Sequence, residues 1–313
     1  MLNFTVLLRS VVLFVVLAVP GFVLGRLKRL DIGARAAIGG ILGDVAMPAL
    51  VLARLLEADL SALDGRSIAW ALLLPFGLTA VLWGLSTLLF PHAEGCGRRH
   101  GAARFCAVFA NCGFLGIPLT EAMFPGQPEV VVYVSLFNVS STLCLLTLGI
   151  YMLSGDRANV RLRAILCKPI VWVVVLGAVL TVTGWKTHLP RLVAYANYPA
   201  QLTTPLSMLV LGCELSGLRL RAIFGQTDLY KTALVKLIAA PVLSMLILRL
   251  CGAPAELAAA MFLATGVSTA ASAPAMAGQY GTDAEYTATL TLGTTLLCIA
   301  TLPMLSLLFE LLF

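Results

Sequence analysis

Charge is scarce in this chain: Asp, Glu, Lys and Arg make up 12% of 313 residues, against 60% hydrophobic ones, roughly half the charged share of a soluble domain. No hydrophilic stretch is long enough to build a soluble catalytic or regulatory domain, so the function has to reside in the apolar part. Histidine is rarer still. His92, His100 and His188 all fall between apolar runs, which excludes a Ser/His nucleophile or a His-based metal site within them; no enzyme activity, metal or cofactor is expected. The cysteines, Cys96, Cys106, Cys112, Cys144, Cys167, Cys213, Cys251 and Cys298, stand one by one without CxxC spacing. They read as small packing residues and not as a disulfide framework or zinc site.

What is present is apolar length. Ten runs lie near residues 2–24, 36–56, 68–90, 103–124, 130–153, 169–185, 197–215, 229–250, 256–280 and 286–312, most of them long enough to cross a hydrocarbon core of ~30 Å at ~1.5 Å per residue. With a mean hydropathy of +0.97, this is an integral membrane protein. The first run is followed by the basic "GRLKR" without a small-residue cleavage site, and is expected to be retained as a span. The net charge of +6 follows from orientation, not from a nucleic-acid or polyanion site. With the N-terminus outside, the cytoplasmic ends hold Arg26, Lys28, Arg29 and Arg35, then Arg98, Arg99 and Arg104, then Arg157, Arg161, Arg163 and Lys168, then Arg219, Arg221, Lys231 and Lys236, fifteen of the 21 basic residues. The positive-inside rule therefore predicts a multi-pass protein of the inner (plasma) membrane with both termini on the outer, periplasmic side.

The chain also repeats itself at an offset of 156 to 157 residues. "AMPALVL" with Pro48 aligns with "TTPLSMLVL" and Pro205, and "GIPLTEAM" with Pro118 aligns with "SAPAMAGQ" and Pro274. Ser135, Asn138 and Thr142 meet Thr291, Thr294 and Cys298, a polar stripe on one helix face. Five spans per copy is an odd number, so the second copy enters from the opposite side. The expectation is an all-α membrane protein of ten transmembrane helices arranged as two inverted repeats, residues 1–156 and 157–313.

The fourth and ninth runs carry helix breakers at their midpoints: "NCGFLGIPL", residues 111–119, and "TGVSTAASAP", residues 265–274. Proline removes an intrahelical hydrogen bond and glycine adds backbone freedom, so both runs should unwind and restart as half-helices near Pro118 and Pro274, with Gly113, Gly116, Thr265 and Gly266 in the crossover. Irregular backbone at that depth needs protein or a water-filled cavity to satisfy it, and two breaks in inverted copies can serve each other by crossing. The free N–H groups and positive dipole ends of the restarted helices attract an anion. Asn111, Ser268, Thr269 and Ser272 are candidate donors in the breaks, joined by Asn138 and Ser141 from the fifth run. Neither break holds a lysine or arginine, so a bound carboxylate remains releasable.

Asp44 is the clearest acid inside a run, at a cost of ~2.5–3.5 kcal/mol or more if ionised in hydrocarbon; it is neutral, paired or facing water, and is a candidate for coupling to protons. Glu121 reads as a rim carboxylate reaching outward or a second proton carrier. Lys236 reads as a side chain snorkelling to the cytoplasm or as a charge attracting anions. "LGDVAMPAL" around Asp44 shares pieces with intramembrane aspartyl proteases. Those need a second membrane aspartate, however, and Asp31, Asp59, Asp64, Asp156, Asp228 and Asp283 all sit at run ends or in loops.

On "MPALVLARLL", "NCGFLGIPL", "KPIVWVVVLG", "TTPLSMLVLG", "VKLIAAPVL" and "TLTLGTTLLCIATLP", the sequence resembles the auxin efflux carrier family, in particular its bacterial branch of malonate- and malate-type permeases. The resemblance implies a scaffold of spans 1, 2, 6 and 7, a transport domain of spans 3–5 and 8–10 carrying the crossed helices 4 and 9, elevator-type alternating access and a homodimer. The break lacks the Asn-Pro-Asn form of the plant members, so a small mono- or dicarboxylate is implied over auxin. A sodium-coupled anion symporter of the bile-acid-transporter type and an anion channel are the alternatives. The expected partners are the carboxylate, membrane lipid, a proton and a second copy of the chain, with no nucleic acid.

Overall fold

A computed structural model describes residues 4–58, 64–91, 97–156, 168–217 and 223–313. In chain order the helices are α1 (Phe4–Arg26), α2 (Gly33–Glu57), α3 (Gly65–Leu89), α4 (Gly97–Val108), α5 (Cys112–Met123), α6 (Pro128–Ser154), α7 (Pro169–Val182), α8 (Pro190–Ala200), α9 (Thr203–Leu215), α10 (Thr227–Leu250), α11 (Ala255–Gly266), α12 (Ala273–Gln279) and α13 (Ala284–Leu312). Among the described residues there is no strand, only one isolated antiparallel bridge between Ala110 and Thr269. Six helices, α1, α2, α3, α6, α10 and α13, are long and apolar enough to cross a membrane, and α5, α7 and α11 are shorter apolar helices. Asp59, His92, Cys96, Arg157, Arg161, Arg163, Cys167, Arg219 and Arg221 lie outside the described residues.

Local chemistry accounts for where these helices start and deform. Asp31, Asp64 and Asp283 are N-caps, their carboxylates accepting from Ala34 N (2.7 Å), Arg66 N (3.2 Å) and Tyr286 N (2.9 Å). Of the four wide, π-type turns among the described residues, three, Leu42–Ala46, Cys112–Gly116 and Leu234–Ala239, end just ahead of a proline, Pro48, Pro118 and Pro241, and the fourth, Leu145–Gly149, does not. A proline ring clashes with the carbonyl of the preceding turn and offers no N–H; widening that turn by one residue absorbs both defects without ending the helix.

Helices associate through small residues. α1 and α9 approach so closely that a Cβ on Gly212 would lie 1.9 Å from Ala18 O, and one on Gly21 2.1 Å from Leu209 O, the mode of packing expected where no hydrophobic drive separates helix from lipid. α7 and α8 pack on α2, with Thr181 Oγ1 donating to Leu55 O at 3.1 Å. A second body of contacts joins α3 to α6, α10 to α11 and α12 to α13. The free cysteines Cys106, Cys112, Cys144, Cys213 and Cys298 are buried.

Candidate functional site

α4 ends at Val108 and α5 begins at Cys112; α11 ends at Gly266 and α12 begins at Ala273. Each interruption orphans carbonyls on one side and N–H groups on the other, and the two interruptions meet. Asn111 N donates to Ser268 O (2.8 Å) and Ala270 N to Phe109 O (3.0 Å), forming the bridge of Ala110 to Thr269. Thr269 Oγ1 donates to Cys106 O at the end of α4 (2.7 Å), and Thr269 N to Thr294 Oγ1 of α13 (3.3 Å). In hydrocarbon each backbone group left unpaired costs several kcal/mol, which is why the crossing is stitched on both strands.

The restart of the fourth run differs from the expectation. It falls at Cys112, not near Pro118, because the wide turn Cys112–Gly116 keeps residues 112–116 helical ahead of the proline. The carbonyl of Asn111 accepts from Leu115 and Gly116 N (both 3.1 Å); the N–H groups of Cys112, Gly113 and Phe114 precede that first intrahelical donor and form the positive end of α5. Pro274 does stand in the first turn of its restarted helix, α12. Thr265 and Gly266 close α11, and a Cβ on Gly266 would meet Leu302 Cδ1 at 2.6 Å. α5 packs on α11 at Gly116, where a Cβ would make ordinary contact with Ala264 Cα at 3.7 Å.

Beside the crossing lies a cavity of 1010 Å³. Its walls include Asp44, Asn111, Gly113, Asn138, Ser141, Thr142 and Ser272, with Lys168, Gln279 and Tyr280 at the end where α6 finishes and α7 starts. A Cβ at Gly113 would press on Met47 Cε at 3.0 Å and stand in ordinary contact with Asn138 Oδ1 at 3.6 Å, so α5 and Asn138 are neighbours here. Thr142 turns its hydroxyl back onto Asn138 O (2.7 Å), leaving the amides of Asn111 and Asn138 and the hydroxyls of Ser141 and Ser272 as neutral polar groups near the crossing, in addition to Gln279 and Tyr280. Asp44 is exposed, and faces this space.

Other sequence-selected residues stand elsewhere. Ser268 and Thr269 are fully buried in the crossing and do not line the cavity. Lys236 corrects the expectation that it snorkels to water: it is 1% exposed, and its Nζ donates to Thr265 O (2.8 Å). Placed in the middle of α10, it finds a nearer partner in the carbonyl end of α11, where a cation also opposes the helix dipole. Glu121 does not reach outward freely; it pairs with Arg54 of α2 (2.8 Å), which also holds Glu57. The sequence reading overlooked Glu214, an acid inside the seventh run that borders a cleft with Asn111. Its signal was available, since it stands 157 residues from Glu57 in the same repeat register as Pro48 and Pro205.

A family model described as "Membrane transport protein" matches residues 6–163 and 158–306. An uncharacterized transporter of Methanothermobacter thermautotrophicus is 26% identical over 212 residues, 66% of this chain and 67% of that relative. The apolar helices and the match over nearly the whole length lead to one assignment: the chain belongs to the auxin efflux carrier family of membrane transport proteins, a family of transporters and not of enzymes.

Proposed function

We propose that the protein is a secondary active carrier of a small organic anion, a carboxylate such as malonate or malate, working by elevator-type alternating access. The observation that carries this reading is the 1010 Å³ cavity, whose inner wall is built from the crossed breaks. An anion there meets the N-terminal end of α5 and the amides and hydroxyls of Asn111, Asn138, Ser141 and Ser272. Donors without a fixed cation bind a carboxylate and release it again, as a carrier requires. Lys168, exposed and on the cavity wall, draws anions in from solution.

In this reading ten spans form two inverted five-helix repeats. Spans 1, 2, 6 and 7 stand still, and spans 3–5 and 8–10 move with the crossing. Both termini are outside, which makes the Lys168 end of the cavity cytoplasmic, and two copies associate through their scaffolds. A sodium-coupled cycle is disfavoured, because the carbonyl end of α11 already holds the Lys236 ammonium where such an ion would sit. The test is uptake into liposomes from a panel of a dozen labelled carboxylates, with and without a pH gradient. Saturable uptake with counterflow of one of them is expected. No uptake of any, or conductance far above carrier turnover, overturns the proposal.

A further inference from the structure

Beside the main cavity is a side cleft in which Glu214 and Ser207 of α9 face Asn111 and Phe114 at the head of α5 and Ala271 ahead of α12. The cleft shares Asn111, Phe114 and Ala271 with the main cavity. Its volume is 10 Å³, about the space one water needs. The Glu214 side chain makes no hydrogen bond or ion pair with any described residue, although it stands within a membrane helix among Val210 and Leu211.

The groups around it narrow what it can do. From α2, the charge of Arg35 reaches the carboxylate, while Asp44 stands exposed on the main cavity. From α1, Arg26 lies over the Phe22 ring. α5 brings no charged side chain before Glu121, which is held by Arg54. Glu214 is therefore an acid without a hydrogen-bonding partner, bordering the positive end of the half-helix that the carrier reading assigns to the substrate anion. Two negative charges that share one electropositive site repel across a poorly hydrated gap, and neutralising one of them relieves it. Asp44, by contrast, is exposed on the much larger cavity, where charge–charge coupling is more strongly screened.

We propose that Glu214 is the proton-coupling residue: it takes up one proton when the anion enters the crossing and releases it on the opposite side once the crossing has slid away from α9 with its anion. Linkage makes the effect reciprocal, the proton favouring the anion as much as the anion favours the proton. Because Glu214 belongs to α9, on the side of the molecule packed with α1, and Asn111 to the crossing, the neutral carboxyl also removes a charge from the surface along which the two would slide. This inference rests on the anion-carrier reading above.

The test uses wild type, Glu214→Gln and Glu214→Asp in liposomes with labelled malonate or malate and the membrane potential clamped at zero. Exchange of internal for external label at equal pH reports the carrier; accumulation under a proton gradient reports coupling. Wild type and Glu214→Asp should accumulate label, up to about tenfold for a tenfold proton gradient and one proton per anion. Glu214→Gln should exchange but remain at onefold. Accumulation by Glu214→Gln equal to wild type overturns the assignment and leaves the carrier reading standing. Failure of wild type to exchange either probe overturns the carrier reading for these carboxylates and this inference with it. A measurement that needs no variant is proton uptake from a pH-indicator dye when malonate is added to the solubilised wild type. One proton per bound malonate is expected, and none overturns the proposal.

Discussion

Asn111 does two jobs with different atoms: its backbone N–H closes the crossing onto Ser268 O, and its side chain faces the cavity. Asn111→Ala keeps the first and removes the second. A hydrogen bond to a charged ligand contributes ~1.5–3 kcal/mol, so anion affinity should fall about ten- to a hundredfold with an unchanged unfolding temperature, as calorimetry and thermal unfolding would report. Lys236→Met does the opposite. It leaves the cavity wall intact but strips Thr265 O of its donor, and should destabilise the detergent-solubilised protein by roughly 1–3 kcal/mol, read from its thermal unfolding. The sequence showed that a lysine lay within an apolar run; its direction depended on the end of another helix lying within reach of its ammonium.

At the scale of the element, prolines located the irregular helices but not the manner of their irregularity. Pro48, Pro118 and Pro241 each follow a widened turn that stays helical, whereas the true gaps, at residues 109–111 and 267–272, lie where the two strands of the crossing pair. Residues distant in sequence supplied those hydrogen bonds, so no local rule placed the gap. Glycine is equally dependent on what it faces. Gly212 stands against the backbone of α1, 1.9 Å from Ala18 O to its would-be Cβ, while nothing lies within 4 Å of the same point on Gly84. Gly212→Val should cost roughly 3 kcal/mol, the upper end for an overpacked interface, and lower the yield of folded protein on size-exclusion chromatography. Gly84→Val should behave as wild type.

At the scale of the whole molecule, the cavity is lined by Lys168 and Tyr280 as well as by the residues of the crossing. In a background with Cys96, Cys167 and Cys251 changed to serine, Ser141→Cys should react with a membrane-impermeant maleimide from the cytoplasmic face and be protected by saturating substrate; labelling from the outer face alone would reverse the assigned orientation. Apolar length, breaker positions and basic residues sufficed by themselves to determine that the protein is helical, lies in the membrane and carries two unusual segments, because the bilayer imposes length, internal hydrogen bonding and charge placement on each segment separately. Only the tertiary structure decided that Asn111, Asn138, Ser141 and Ser272 share a wall while Ser268 and Thr269 turn into the crossing, that Lys236 ends on α11, and that Glu214 borders the site. Those facts depend on which orphaned donors and acceptors of separate helices come within bonding distance, a property of the packed chain and of no segment within it.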